Sequence, residues 1–223
     1  MEKRVEIVWW AHACVEIKCC GKSLLIDPHD GGSLGPVFKP PSTSPDYILV
    51  THEHYDHNAV EAVARSDTIV VRERIGSFEL GPFRITGLRL PHDEFEGRLR
   101  GYVVAYRIEV DELKLTHLSD LGRPLTSNEA EKLRADVAFV PAGNVYTLHP
   151  KRALEAADTL GAKVVVPIHY WLPGMQLPLD PLDVLLRYAK KWRVVRHDAN
   201  TIVLSKGDLP EHKTILVLSP PRF

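Results

Sequence analysis

Cysteine is scarce and badly placed for cross-linking. There are three, Cys14, Cys19 and Cys20, an odd number crowded near the N-terminus. They make no disulfide framework, the adjacent pair is a poor metal clasp, and a reducing cytoplasm is the expected setting. No apolar run approaches the ~20 residues that a membrane-crossing helix requires. The opening MEKRVEIVWWAHACVEIK is interrupted by Glu6, His12 and Glu16, unlike a secretory signal. An excess of either charge is missing too: 28 Lys and Arg face 29 Asp and Glu, for a net −1. That balance argues against a general polyanion binder, which needs clustered basic side chains. Thermolabile residues are few (three Cys, two Met, four Asn, one Gln), a composition that leans towards a thermophilic source.

What is present is an ordinary globular mixture, 44% hydrophobic and 26% charged, which excludes disorder. The alternating and apolar runs predict strands over 5–10, 14–18 and 23–26, with Cys20-Gly21-Lys22 turning between the last two. A loop with Gly31, Gly32, Gly35, Pro36, Pro40 and Pro41 covers 28–45. Strand 47–50 runs into a His-rich segment, after which Asn58 is expected to cap a short helix to about Arg65. Strands are expected at 68–71, 77–80, 83–90, 101–109 and 113–117. Thr126 and Glu129 form a capping box for a helix ending near Arg134, before strand 137–140. A second helix opens after Pro150 and stops at Gly161, ahead of strand 163–168. Asp180-Pro181 reads as N-cap and first residue of a third helix, to about Lys190. Strands 193–196, 202–205 and 214–218 finish the chain. Two strand-rich halves with helices outside imply one α/β domain over 1–223, a four-layer αββα sandwich.

Eleven histidines are present, and their placement carries the functional reading. His52-Glu53-His54-Tyr55-Asp56-His57 puts three imidazoles and an aspartate into six residues, directly after a strand. Alternate residues of an extended segment face one side, so His52 and His54 converge on one ion. The turn that follows brings Asp56 and His57 towards a second. Imidazole with carboxylate suits zinc, with manganese or iron also compatible. Further ligands are expected at strand ends opening on the same rim: His92, Asp120 and His169.

HEHYDH resembles the H-x-H-x-D-H signature of the metallo-β-lactamase superfamily. The feature order is similar to small stand-alone hydrolases near the ascorbate-6-phosphate lactonases. The likeness takes in His12-Ala13-Cys14-Val15, Leu24-Leu25-Ile26-Asp27-Pro28, Gly101-Tyr102-Val103-Val104 and the stretch from Gly161 to Tyr170. It implies His52, His54 and His92 on a first metal, Asp56, His57 and His169 on a second, and Asp120 bridging both. Two zinc ions per chain, or Mn2+ or Fe2+, are the implied cofactors. One departure is that Ser119 stands where the family usually has glycine. His117 is expected to pack or support rather than ligate.

The chemistry so implied is hydrolysis by a metal-bridging hydroxide, with Asp56 orienting it and Asp120 holding both ions. Two divalent ions set against Asp56, Asp120 and that hydroxide leave about +1, favouring a small anionic ester, lactone or phosphate ester. Candidates for protonating a leaving group are His12, His29, Tyr146, His149 and Tyr170. Of these, His12 and His149 are expected to be catalytic. Asp27 is placed to orient a ligand imidazole, Tyr170 and Trp171 to wall the pocket, and His197 and His212 to lie on the surface. Two other functions are compatible with parts of the sequence. A nucleic-acid phosphodiesterase is disfavoured by the 48 residues between Asp120 and His169, too few for an inserted arm, and by the arginine-rich stretch 72–107, whose seven Arg meet five acids. An iron oxidoreductase or sensor would normally need a flavin domain, for which there is no room. Oligomeric state is not legible.

Overall fold

The computed structural model describes residues 4–221, so the first three and last two residues of the expected domain 1–223 lie outside the described residues. Along the chain come β1 (Val5–Trp9), β2 (Val15–Cys19), β3 (Lys22–Ile26), β4 (Tyr47–Val50) and β5 (Ile69–Arg72). An antiparallel meander follows, β6 (Gly76–Leu80), β7 (Phe83–Pro91), β8 (Tyr102–Val110) and β9 (Leu113–His117). Helices then alternate with strands: α1 (Ser127–Lys132), β10 (Val137–Pro141), α2 (Pro150–Thr159), β11 (Val164–Ile168) and α3 (Leu182–Leu186). The last strands are β12 (Arg193–His197), β13 (Thr201–Leu204) and β14 (Thr214–Leu218).

These strands form a six-stranded sheet, β13-β1-β2-β3-β4-β5, and an eight-stranded sheet, β12-β14-β11-β10-β9-β8-β7-β6. Period-two alternation fixes which residues face inward. On β3 and β4, Leu24, Ile26, Tyr47 and Leu49 enter the main core, while Leu25, Ile48 and Val50 face the other way. The second set packs on Val60 and Val63. The expected metallo-β-lactamase-type sandwich is therefore present, with α1, α2 and α3 on the eight-stranded side. On the six-stranded side the outer layer is thin, among the described residues a 3-10 turn at Val60–Ala62.

Two helix expectations need correcting. Asn58 caps nothing; its amide donates to the Glu53 backbone carbonyl at 3.2 Å and to the Glu53 carboxylate at 2.9 Å. The segment it was expected to start closes into the 3-10 turn instead of an α-helix to Arg65. Asp180 likewise caps no helix, because its carboxylate accepts from the Asn144 amide at 3.0 Å, and Pro181 takes the N-cap place. That helix stops at Leu186, not Lys190. Tyr188, Ala189 and Trp192 form i→i+3 bonds that tighten the chain and bury Ala189 and Trp192. By contrast, Thr126 and Glu129 do make the capping box on α1.

The rims of the two sheets are joined directly. His169 N–H donates to the His12 carbonyl at 2.9 Å, and Val104 N–H to the Thr51 carbonyl at 2.9 Å. His117 Nε2 lies 2.8 Å from the Ala13 carbonyl, with its Nδ1 accepting from Ser119 N–H at 3.2 Å. His117 is thus the supporting side chain the sequence suggested.

Candidate metal centre

Each candidate ligand sits just past the C-terminal end of a strand. His12 follows β1, the 51–57 segment follows β4, His92 follows β7, Asp120 follows β9 and His169 follows β11. Strand ends are where an α/β sheet opens room for a ligand. Five non-glycine residues at these ends have left-handed backbones: Ala11 (φ 74°), His12 (50°), Asp27 (50°), Ser119 (49°) and His169 (51°). Such conformations cost of order 1–3 kcal/mol each and persist where the surroundings enforce them, commonly at functional sites. Two glycines admit the close packing this requires. A side chain at Gly122 would strike the His92–Asp93 backbone, and one at Gly143 the His169 carbonyl.

Two clusters of candidate ligand atoms meet at Asp120: His52, His54 and His92 form one, and His12, Asp56, His57 and His169 the other. A third joins Asp27 to His52 and His57. His52 Nε2 and His54 Nδ1 face each other at 3.0 Å. Asp120 Oδ2 lies 3.1 Å from His169 Nε2, 3.5 Å from His57 Nε2, 3.5 Å from His92 Nε2 and 4.0 Å from His52 Nε2. The sequence reading placed His12 beside the site, and the structure sets it within the second group, its Nε2 3.1 Å from Asp56 Oδ2.

A buried scaffold orients this set. Asp27 Oδ2 lies 3.0 Å from His57 Nδ1, so the imidazole presents Nε2 to the centre. Thr51, which the sequence reading passed over, gives its backbone N–H and hydroxyl to Asp27, and its Oγ1 lies 2.9 Å from His52 Nδ1. Its only signal was its place before HEHYDH. Ser119 Oγ lies 2.7 Å from Thr51 Oγ1, which couples the strained turn ahead of Asp120 to the same network.

The electrostatics call for cations. Burial disfavours the charged form of His12 and holds its pKa at about 3; burial and then His57 hold His52 at about 2. Burial opposes charge at His57 as well, yet Asp120, Asp27 and Asp56 outweigh it and raise its pKa. Asp120 is driven well below the usual carboxylate range, against burial, by His169 and His57. Asp56 is lowered too, against burial, chiefly through His12. Three carboxylates are thus ion-paired here only with imidazoles among the described residues. His57 Nε2 and Asp120 Oδ1 are buried without hydrogen-bond partners. Orphaned donor atoms in a nitrogen-and-oxygen set of this kind fit divalent metal ions.

Apart from Tyr146, the remaining candidates lie away from the ligand cluster. His149 is exposed at the N-terminus of α2, where its Nδ1 accepts from Lys151 N–H at 3.3 Å, and its ring rests on Tyr188. It is therefore outside the ligand groups. His29 is buried, its Nε2 2.7 Å from the Trp10 carbonyl and its Nδ1 accepting from Gly31 N–H, so it fixes the 28–45 loop. Tyr170 is buried and stacked on Trp9, and burial pushes its hydroxyl pKa up. Trp171 donates to the Met175 carbonyl, and His212 is exposed. His197 is half-buried, its Nε2 3.0 Å from the Thr201 carbonyl. Tyr146 does line the cavity at the ligand cluster.

The chain is similar in sequence and fold to known proteins. The model of the beta-lactamase superfamily domain matches residues 6–169. A UPF0173 metal-dependent hydrolase of Exiguobacterium sp. is 31% identical over 194 residues, covering 74% of this chain and 86% of the relative. One from Thermococcus onnurineus is 29% identical over 236 aligned residues, covering 93% and 99%. Among solved structures, a Thermotoga maritima protein ascribed to the Zn-dependent hydrolases of the metallo-beta-lactamase superfamily superposes with a TM-score of 0.75. It shares 27% identity, over 97% of this chain and 100% of that one. With a matching domain model, relatives aligned over most of their length and the histidine clusters in place, the chain belongs to the UPF0173 metal-dependent hydrolases of the metallo-β-lactamase superfamily.

Proposed function

We propose that the chain is a dinuclear zinc hydrolase acting on a small anionic ester, lactone or phosphate ester. His52, His54 and His92 hold one ion, Asp56, His57 and His169 the other, and Asp120 belongs to both. Ions bound there supply Lewis acidity and a water ionised near pH ~7, with more positive charge than Asp56 and Asp120 cancel. The carrying observation is the position of Asp120 Oδ2, within 3.5 Å of imidazoles from both groups.

The chain's own residues do the rest. Asp27 fixes His57 with Nε2 inward, and Thr51 fixes His52. His12, held neutral by burial, donates from Nε2 to Asp56 and sets that carboxylate's orientation. Cysteines that form no disulfide suit a reducing cytoplasm as the place of action, and a net charge of −1 suits a small substrate over nucleic acid.

The test is zinc analysis of protein loaded and desalted, with turnover of bis(p-nitrophenyl) phosphate and of a simple lactone. About two zinc per chain and hydrolysis of one of these esters is expected. Zinc content near zero, or undiminished turnover after chelation, overturns the reading.

A further inference from the structure

Two cavities meet beside the histidine cluster. The smaller, about 250 Å³, has candidate ligands for its floor and Tyr55, Arg100, Tyr146 and Leu177 for walls. The larger, about 580 Å³, lies between the 93–100 and 144–149 loops and carries Phe95, Leu99, Val145 and Leu148. Arg100 and Tyr146 belong to both.

Arg100 is exposed, and its guanidinium carbon lies 4.4 Å from the centre of the Tyr146 ring. Nearby arginines are committed to carboxylates: Arg123 to Glu129 at 2.8 Å, Arg152 to Glu155 at 2.7 Å. Arg100 has no ion pair among the described residues. Its backbone is fixed all the same. The buried Asp93 carboxylate accepts from the N–H groups of Phe95, Gly97, Leu99 and Arg100 at 2.8–3.0 Å, which makes the loop a preformed platform. A guanidinium stacked on an aromatic ring keeps its donor fork available for a planar or tetrahedral oxyanion. On the far side, apolar side chains face solvent, with Phe95 50%, Leu99 70% and Val145 49% exposed. Exposed apolar residues gathered around a cavity mark an interaction surface, and one continuous with a cavity over clustered ligands suits the apolar part of a small molecule.

We propose that Arg100, stacked on Tyr146, is the anion-recognising partition between the metal cavity and a tail cleft. The substrate is then an elongated oxyanion ester, with its charged end on Arg100 beside the ligand cluster and an alkyl or aryl tail along Leu99 and Phe95. The bond to be cleaved rests on the hydrolase reading above; the binding mode stands apart from it.

Calorimetry on the zinc-loaded protein separates the two, with methylphosphonate and 4-phenylbutylphosphonate as non-hydrolysable probes. The phenylbutyl probe binds about tenfold more tightly than the methyl probe, as expected for burying its tail. Arg100→Gln weakens both by about tenfold. Leu99→Ser, at an exposed position, weakens only the long probe, by about threefold. Equal affinity for the two probes, an Arg100→Gln protein that binds both as before, or no binding at all overturns the proposal. A chain that shows the expected probe binding without hydrolysing any ester would instead sink the hydrolase reading alone.

Discussion

Asp27 Oδ2 stands 3.0 Å from His57 Nδ1 at the bottom of the ligand cluster, and both side chains are fully buried. The contact decides which nitrogen of His57 carries the proton, and so leaves Nε2 free to face Asp56 and Asp120. Asp27→Asn keeps the shape but replaces one acceptor with an NH2 group. Ion affinity is expected to drop ten- to hundred-fold, roughly the range for loss of such a supporting carboxylate. Competition with a fluorescent chelator reads this directly; an unchanged affinity would remove Asp27 from the supporting role.

The shared position of Asp120 makes a stoichiometric prediction. His92→Ala is expected to leave about one ion per chain, bound by the second group, and His169→Ala about one, bound by the first. Asp120→Ala should lose most of both, since its Oδ2 lies within 3.5 Å of His57, His92 and His169. Elemental analysis of the three proteins checks the order. An Asp120→Ala protein with two ions bound contradicts the bridging role.

Ser119 sits at φ 49° ahead of Asp120 and hydrogen-bonds to Thr51 Oγ1 at 2.7 Å. Glycine would relieve about 1 kcal/mol of backbone strain and forfeit about 1 kcal/mol of hydrogen bonding. Ser119→Gly is therefore expected to be close to neutral, whereas Ser119→Ala keeps the strain and loses the bond. Thermal melts should place Ser119→Ala below both wild type and Ser119→Gly. The opposite order would show that the hydroxyl does not compensate the turn.

Acid should destabilise the metal-free protein. Unfolded, each imidazole takes up a proton near 6.5; folded, His12 and His52 stay neutral down to about 3 and about 2 because burial disfavours the imidazolium. Through that window the unfolded chain binds more protons, so stability falls as pH drops below about 6.5. His29, His92 and His117 are lowered by burial and act in the same direction. His57, raised by its carboxylates, contributes the opposite way, its stabilisation present below about 6.5 and lost as pH rises through its folded value. Asp56 and Asp120 are lowered, so their contributions go only below the ordinary carboxylate range. Calorimetric melts in chelator from pH ~7 to ~4.5 should show a falling Tm; a rising one would mean His57 outweighs the other five.

Much of this was legible in the chain because the relevant patterns are local. HEHYDH is contiguous, and strand period located β4, β7, β9 and β11, whose ends carry His52–His57, His92, Asp120 and His169. Helix lengths were less legible. Asn58 and Asp180 look like caps, but each found a better partner, in Glu53 and Asn144. The left-handed turns at Ala11, His12 and His169 carry no residue signature, since none is glycine or asparagine. Arg100 gave no signal either. A lone arginine forms no pattern, and the ring that gives it meaning, Tyr146, is contributed by a distant loop.

The hydrogen bonds from His169 to His12, Val104 to Thr51 and His117 to Ala13 are made by the polypeptide itself and run from one sheet to the other. The spacing of the clustered side chains is consequently set by both sheets at once. A change on one rim is then felt on the other, because the strand ends at His12, Thr51 and His169 are anchored to the facing sheet.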